Sequence, residues 1–239
     1  MKSKIKKVIP VKLLDYYSRV KYSKKNSKFK NKSVEEIFTL IYNTKYWNNI
    51  ESISGPGSSI KQTEKIIQGI NNFLKDFNIK SVIDIPCGDF NWMQYTNLSQ
   101  ISYIGADIVE DLINKNNSKY KTDHVNFIKL DLINDNIPKS DVIINRDCLV
   151  HFSYKDIYKS LTNIKNSNCK FFITTTFTKL TLNYDIVTGD WRPINFEIPP
   201  FNFSKPIFLI EENYEKGFEE QYKGKSLGIW KVSDIKLQE

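Results

Sequence analysis

Residues 81–93 read Ser-Val-Ile-Asp-Ile-Pro-Cys-Gly-Asp-Phe-Asn-Trp-Met, and the fold of the chain follows from this stretch. Val82, Ile83 and Ile85 are apolar and β-branched, which is typical of a short strand buried in a parallel sheet. The strand is expected to stop at Pro86, which has no backbone donor, and Gly88 permits a sharp turn there. Asp84 lies near the carboxyl end of the strand, where open α/β sheets bind their ligands. The stretch therefore predicts a ligand-binding turn after a buried strand.

Further strands are predicted at regular spacing along the rest of the chain. Four apolar segments predict more parallel strands, at residues 102–108, 125–132, 141–145 and 170–177. Two later segments predict a closing antiparallel pair, at residues 207–210 and 227–232. We therefore expect an α/β fold with a mostly parallel sheet of seven strands, forming one domain over residues 33–239.

Two helices are predicted before the first strand. The first runs from residue 34 to about residue 47, with Ser33 as its N-cap and Glu36 completing a capping box. The second presents an apolar face made of Ile66, Ile67, Ile70, Phe73, Leu74 and Phe77. A loop of small residues, 52–59, joins the two helices, and its glycines let the backbone approach a ligand closely.

Acidic residues recur at the ends of successive predicted strands. Asp84 and Asp107 end the first two, Asp131 lies in the third, and Asp147 follows the fourth. This series, together with the turn after the first strand, resembles the class I S-adenosylmethionine (SAM)-dependent methyltransferases over roughly residues 34–235. The resemblance implies a Rossmann-like, seven-stranded sheet with helices on both faces, methyltransferase activity, and SAM as the cofactor.

The same resemblance implies which residues hold the cofactor. In that family the first acidic residue and the turn hold its amino-acid end, an acidic residue at the third strand binds the adenine, and a loop between N-terminal helices closes over the site. The residues assigned here to the cofactor are Asp84, Pro86, Cys87, Gly88, Trp92, Asp107, Ile108, Asp131, Leu132, Arg146, Gly55, Gly57 and Ser58. Pro86 and Cys87 depart from the family pattern, because glycine is common at their positions. The alternative for the loop is a turn that only caps the following helix.

Asp107 lies 23 positions after Asp84, at the tip of the next predicted strand. A carboxylate in this place can accept hydrogen bonds from both hydroxyl groups of a ribose. The spacing fits NAD as well as SAM, so it indicates an adenosine ribose rather than one cofactor. The G-x-G-x-x-G fingerprint of NAD-binding proteins is absent from the sequence.

Asp147 and His151 are the expected catalytic residues. They are four positions apart and share a face if the segment forms one helical turn. Histidine titrates near neutrality and a carboxylate can orient it, so we predict His151 as the general base and Asp147 as its partner. The alternatives are the reverse assignment and a purely structural histidine at the entry of a helix.

The residues expected to contact the acceptor are Arg146, Tyr184, Trp191 and Arg192. An arginine in a chain rich in lysine indicates planar, bidentate recognition, and structural ion pairs are the alternative. Residues 178–205 are too many for a plain connection. Their aromatic side chains predict an exposed stacking surface for a sugar or a flat ring, unless they only pin the loop to the sheet.

The basic character of the chain is concentrated at its N-terminus. The formal net charge is +8, but residues 1–32 hold 12 of the 35 basic residues and one of the 27 acidic residues. The remainder of the chain is therefore slightly acidic. Residues 1–32 are expected to form a basic, flexible arm that can touch RNA, an anionic lipid surface or an acidic glycan, and the alternative is a solvated leader without a partner.

The cysteines and the hydropathy of the chain indicate the kind of compartment in which the protein is expected. Cys87, Cys148 and Cys169 are odd in number and fall in or beside predicted strands, so we expect free, buried thiols in a reducing, cytoplasmic compartment. No metal site is predicted, because the chain has two histidines and no paired cysteines. No apolar run approaches the ~20 residues of a membrane span, and no signal peptide is expected.

Three functions are compatible with these observations. The first is SAM-dependent O-methylation of a sugar, a glycan or another small hydroxylated acceptor, which the aromatic, polar loop and the lack of an Asn-Pro-Pro-Tyr motif favour. The second is methylation of RNA or protein held by the basic arm, which charge alone does not favour. The third is a non-catalytic, cofactor-binding partner subunit. The sequence leaves the oligomeric state open.

Overall fold

The structure is a computed structural model that describes residues 29, 31–47, 49–212 and 222–237. Its helices are α1 (Val34–Asn43), α2 (Ile60–Asp76), α3 (Glu110–Tyr120) and α4 (Tyr154–Asn166). Its strands are β1 (Ser81–Asp84), β2 (Ser102–Asp107), β3 (Val125–Lys129), β4 (Val142–Asn145), β5 (Phe171–Phe177), β6 (Phe208–Glu211) and β7 (Lys225–Lys231). Most of the basic arm predicted at residues 1–32 lies outside the described residues.

The strands form a seven-stranded sheet in the order β3-β2-β1-β4-β5-β7-β6. Neighbours among the first five strands pair in parallel, and β7 pairs antiparallel with both β5 and β6. The strand order reverses between β1 and β4, and open α/β sheets bind ligands outside the carboxyl ends of the strands at such a point. The predicted mostly parallel sheet with a C-terminal antiparallel pair is confirmed.

Both faces of the central strands of the sheet are buried. On one face, Val82 and Ile144 lie in a core with the apolar stripe of α2. On the other face, Ile83 and Ile143 lie in a core with α4. Successive residues of a strand point to opposite faces, so a strand that is covered on both sides needs consecutive apolar residues. This requirement explains the unbroken apolar runs in the sequence.

Local signals set the start of two helices. Ser33 Oγ accepts a hydrogen bond from Glu36 N at 3.1 Å, and Glu36 Oε2 accepts one from Ser33 N at 2.6 Å, which completes the predicted capping box of α1. Ser153 Oγ caps α4 by accepting from Asp156 N at 3.2 Å. The end of α1 comes earlier than predicted, because Lys45 adopts a positive φ of 48° that a helix does not tolerate.

Several strand limits differ from the prediction. The strands predicted at residues 81–86 and 125–132 end earlier, at Asp84 and Lys129, so that the segments following them turn towards the ligand-binding edge of the sheet. The last strand begins earlier than predicted, at Lys225, which places that residue within the ladder that β7 forms with β5.

The three cysteines are free and buried, as predicted. In the part of the chain that the structure describes, no cluster of histidine, cysteine and acidic side chains could hold a metal ion. The helices within the described ranges are too short or too polar to cross a membrane.

Candidate active site

A cavity of about 900 Å³ opens at the carboxyl ends of the parallel strands. Segments far apart in the sequence line it, including residues 53–58, 84–89, 107–109, 130–132 and 146–148. The cavity brings together all the residues predicted for the site except Tyr184 and Arg192. They meet because β1, β2 and β4 end side by side. The role of each residue stays a prediction.

Asp84 ends β1 as a buried carboxyl group in the wall of the cavity. Tyr103 of β2 donates a hydrogen bond from its hydroxyl to Asp84 Oδ2 at 2.9 Å. Burial raises the pKa of Asp84 to about 7, with the Tyr103 hydrogen bond opposing the rise and the charge of Asp107 adding to it. The pKa of Asp84 therefore lies close to neutral pH, and a cation in the cavity would favour its ionised form.

The turn after β1 is bonded to the end of β2. Cys87 N donates to the carbonyl of Ala106 at 2.8 Å, and Gly88 N donates to Asp107 Oδ2 at 3.2 Å. Asp107 Oδ1 accepts from Val109 N at 3.0 Å. Burial raises the pKa of Asp107 to about 6, and the backbone donors oppose the rise. Since each carboxylate oxygen has two lone pairs, both can still accept from a ligand.

Residues 52–59, here termed the lid loop, lie over this turn. Asp89 Oδ1 accepts from the hydroxyls of Ser52 at 2.9 Å and Ser54 at 3.2 Å, and Asp89 Oδ2 accepts from Ile53 N at 2.9 Å. The first half of the lid loop is therefore fixed to the residues that follow β1.

Gly88→Ala is expected to destabilise the protein, because Gly88 has a φ of +54° and an added Cβ would collide with Ser54 Oγ. The left-handed backbone alone costs a residue with a side chain about 1–2 kcal/mol. Thermal unfolding measures the loss. In a Ser54→Ala background, Gly88→Ala should cost less, since the collision with Oγ is removed and only the backbone strain and a contact of 3.3 Å with the Cβ of residue 54 stay. A Gly88→Ala variant as stable as the wild type would contradict this placement of the lid loop.

Asp131 and Leu132 follow β3 and line the cavity. Asp131 Oδ1 accepts from Ile133 N at 2.8 Å, and Asp131 Oδ2 accepts from Asn134 Nδ2 at 2.7 Å. These two bonds orient the carboxylate. The pair thus places a hydrogen-bond acceptor beside an apolar side chain in the wall of the cavity.

Four charged side chains, Arg146, Asp147, Glu212 and Lys225, meet beside the cavity and are here termed the charge cluster. Arg146 forms a bidentate pair with Glu212, from Nε to Oε1 at 3.2 Å and from Nη2 to Oε2 at 2.8 Å. Lys225 Nζ lies 2.7 Å from Asp147 Oδ2 and 3.0 Å from Glu212 Oε2. Two positive charges balance two negative ones, which offsets the cost of removing them from water.

Asp147 is the carboxylate of the charge cluster that faces the cavity, with 27% of its side chain exposed. Its φ is +53°, and its backbone N donates to Thr175 Oγ1 at 2.9 Å. Burial acts to raise the pKa of Asp147, but Lys225 and Arg146 outweigh it and hold this pKa well below its usual range. Asp147 is therefore an ionised hydrogen-bond acceptor, and its low pKa makes it a weaker base than an imidazole.

His151 lies in the cavity wall, but its partner differs from the predicted one. His151 Nδ1 is 2.7 Å from the carbonyl oxygen of Asp190, so Nδ1 carries the proton and Nε2 carries the lone pair. The prediction that Asp147 orients this ring is wrong, because Asp147 binds Lys225 and Thr175 instead. The indole of Trp47 packs on the imidazole, with ring centroids 5.0 Å apart.

The surroundings of His151 keep it neutral. Burial lowers the pKa of His151 to about 4, opposed by the Asp190 carbonyl and by the charge of Asp147. The imidazole is therefore unprotonated at neutral pH, and its Nε2 can accept a proton from a bound molecule.

Arg192 does not reach the cavity, and the prediction that it contacts an acceptor is wrong. The residue has no exposed surface. It donates from Nη1 to Leu149 O at 3.0 Å, from Nη2 to Phe152 O at 2.7 Å, and from Nε to Tyr184 O at 3.0 Å. The side chain thereby joins the segment after β4 to residues 178–205. Tyr184, also predicted for the acceptor, lies outside the cavity lining and supplies one of these carbonyls.

The aromatic side chains of residues 178–205 are predicted to form an exposed stacking surface, but most of them are buried. Phe196, Phe201 and Phe203 pack with Trp230 in the core beneath one face of the sheet. These side chains pin the loop to the sheet, which was the alternative interpretation. Trp191 does line the cavity, with its ring centroid 5.9 Å from that of Tyr222.

Sequence reasoning missed several residues of the site, among them Trp47, Glu212, Tyr222 and Lys225. The available signal was weak: a lysine opens the last strand at residue 225, and a glutamate follows its neighbouring strand at residue 212. Charged residues beside buried strands need partners of opposite charge. The partners themselves could not be identified without the strand register.

Comparisons with known proteins support the fold. No protein-family model matches the chain, and no curated protein matches it significantly. Among solved structures, PigF with S-adenosylhomocysteine (SAH) superposes with a TM-score of 0.60 at 11% identity, covering 92% of this chain and 68% of that one. Magnesium protoporphyrin IX methyltransferase (ChlM) from Synechocystis PCC 6803 with bound SAM superposes with a TM-score of 0.56 at 12% identity, covering 84% and 98%.

The methyltransferase domain of bacterial CtHen1 superposes with a TM-score of 0.52 at 12% identity, covering 71% of this chain and 99% of that one. At such low identities the likeness concerns the fold. The chain has the Rossmann-like fold of the class I SAM-dependent methyltransferases.

Proposed function

We propose that the protein is a SAM-dependent methyltransferase that methylates a hydroxyl group of a sugar, a glycan or another small acceptor. The observation that carries the proposal is one cavity that holds Asp84 and Asp107 at the ends of β1 and β2 and a neutral His151 beyond β4. The first two carboxyl groups suit a charged nucleoside cofactor, and the imidazole suits removal of a proton from an acceptor.

The donors and acceptors of the cavity fit SAM. Asp107 offers two carboxylate oxygens to the ribose hydroxyls, Asp84 offers a negative charge to the ammonium group, and Asp131 with Leu132 suits the adenine. When bound, SAM supplies a methyl group activated on a sulfonium. ChlM holds SAM and PigF holds SAH on the same fold, which supports this choice of cofactor.

The acceptor side is built from His151, Asp147 and an aromatic wall of Trp47, Trp191 and Tyr222. His151 Nε2 can take the proton that an acceptor hydroxyl loses. Asp147, held ionised, can accept a hydrogen bond from a neighbouring hydroxyl. Aromatic rings beside fixed acceptors suit a ring that carries several hydroxyl groups, which favours a sugar over an acceptor with a single polar group.

Calorimetric titration of the full chain with SAM, SAH and NAD tests the cofactor. We expect micromolar binding of SAM and SAH and no binding of NAD, because the turn at residues 86–89 lacks the glycines that approach a pyrophosphate. Binding of NAD alone, or of none of the three, would overturn the proposal. Radiolabelled methyl transfer to nucleotide sugars, glycans, RNA and protein then identifies the acceptor class, and transfer to RNA or protein alone would replace the sugar.

The affinity for SAM is expected to fall as the pH is lowered from about 7.5 to about 5.5. Asp84 and Asp107 have pKa values of about 7 and about 6 in the free protein, and a bound cation favours their ionised forms. Binding should therefore release protons, and each group can weaken the affinity up to about tenfold per pH unit below its pKa. Titrations in buffers of different ionisation enthalpy measure the release; proton uptake on binding would contradict it.

A further inference from the structure

Glu212, the residue after β6, has no exposed side-chain surface and does not line the cavity, yet it contacts both cations of the charge cluster. A carboxylate that is removed from water is unfavourable unless its partners are well placed. The Glu212 partners are Arg146 and Lys225, both of which line the cavity. Glu212 therefore positions these two side chains and does not itself contact a ligand in the cavity.

The bidentate pair with Glu212 fixes the plane of the Arg146 guanidinium, since two parallel bonds leave a planar group little freedom. From this plane, Arg146 Nη2 also donates to the carbonyl oxygen of Gly57 in the lid loop at 2.8 Å. The Arg146 Cζ lies 5.6 Å from the ring centroid of Trp92, which restrains the group further. Glu212 thus sets the direction in which Arg146 reaches the lid loop.

The lid loop packs directly on the charge cluster at Gly57. A Cβ added there would lie 3.4 Å from Asp147 Oδ2 and 3.8 Å from Lys225 Nζ. The other half of the loop is held by Asp89, beyond β1. The lid loop is therefore attached at two places along the edge of the sheet, to the turn after β1 and to the end of β4.

We propose that Glu212 is a positioning residue for the lid loop, because it holds Arg146 in the orientation that keeps Gly57 over the cavity. The identity of the ligand beneath the lid loop as SAM or SAH rests on the proposed function. The attachment of the lid loop through Glu212 does not, and it is measurable in the ligand-free protein.

The test compares Glu212→Gln with Glu211→Gln, a matched control in which the neighbouring, exposed carboxylate is changed. Hydrogen–deuterium exchange of residues 52–59 in the ligand-free protein is expected to become about tenfold faster or more in Glu212→Gln, as for loss of a charged hydrogen bond, and to stay unchanged in Glu211→Gln. The dissociation rate of SAH should rise to a similar extent. Unchanged exchange in folded Glu212→Gln would overturn the proposal.

A double-variant cycle separates positioning from general destabilisation. If Glu212 acts through Arg146, Glu212→Gln combined with Arg146→Lys should open the lid loop no further than the more severe single variant. Additive effects would overturn the proposal. If Glu212→Gln does not fold, Glu212→Gln/Lys225→Gln removes one charge of each sign and keeps the contact of 3.4 Å between Arg146 Nη2 and Asp147 Oδ2. The same faster exchange of residues 52–59 is expected in that variant, and unchanged exchange would overturn the proposal. If the wild type fails to bind SAH, the proposed function fails, while the exchange result still decides the role of Glu212.

Discussion

Replacing His151 with glutamine is expected to lower the rate of methyl transfer at saturating SAM by about 10²–10⁴-fold, the usual contribution of a general base. The affinity for SAH should stay near that of the wild type, because the residues assigned to the cofactor are untouched. Nδ1 of His151 is engaged by the Asp190 carbonyl, so Nε2 is the nitrogen available to the acceptor. Steady-state kinetics with the acceptor found by the labelling screen, together with SAH titration, measures both quantities.

The pH dependence of the rate tests the same role. The pKa of His151 is lowered to about 4, so the unprotonated imidazole prevails above about pH 5, and the rate at saturating SAM should fall only below that value. His124→Gln is the matched control, since His124 is exposed and lies outside the cavity. A His151→Gln variant that keeps more than about a tenth of the wild-type rate would exclude His151 as the base. A break in the wild-type rate near pH 6.5 would contradict the lowered pKa.

Asp107→Asn is expected to weaken the binding of SAM and SAH about 100-fold. A carboxylate that accepts from two ribose hydroxyls contributes hydrogen bonds of about 1.5–3 kcal/mol each, and the amide replaces one acceptor with a donor. The amide also faces Gly88 N, which needs an acceptor. Calorimetric titration measures the affinity, and thermal unfolding shows whether the variant remains folded.

The matched control for this variant is Asp111→Asn, an exposed position in the first turn of α3. It changes the same functional group four residues away and should bind SAM as the wild type does. A folded Asp107→Asn variant with unaltered affinity would show that Asp107 does not hold the ribose. It would leave the fold unaffected and would place the nucleoside site in another part of the cavity.

Much of the fold could be predicted because its signals are local. The β-branched residues Val82, Ile83 and Ile85 identified a strand covered on both faces, and the capping box at Ser33 identified the start of α1. The first and last residues of the strands and helices were predicted less accurately. The end of α1 depends on the positive φ of Lys45, and no residue type at that position announces it.

Part of the site could also be predicted, because the carboxyl ends of parallel strands lie on one edge of a sheet. Asp84, Asp107 and Asp147 therefore had to come close together once β1, β2 and β4 were recognised. Arg192 and Phe196 were misjudged for the opposite reason. In an irregular segment no periodicity tells which side chains face the core, so a buried arginine or phenylalanine resembles an exposed one.

The amino-acid sequence by itself determined the order of strands and helices, the buried sheet and the acidic strand ends, because these depend on residue type and short-range spacing. The tertiary structure decided which side chains are partners. The register of the closing strands, in which Phe177 pairs with Lys225 and Glu211 pairs with Ser226, brings Glu212 and Lys225 to Arg146 and Asp147. Such contacts join residues more than sixty positions apart, and their energies depend on distance and burial that only the folded chain supplies.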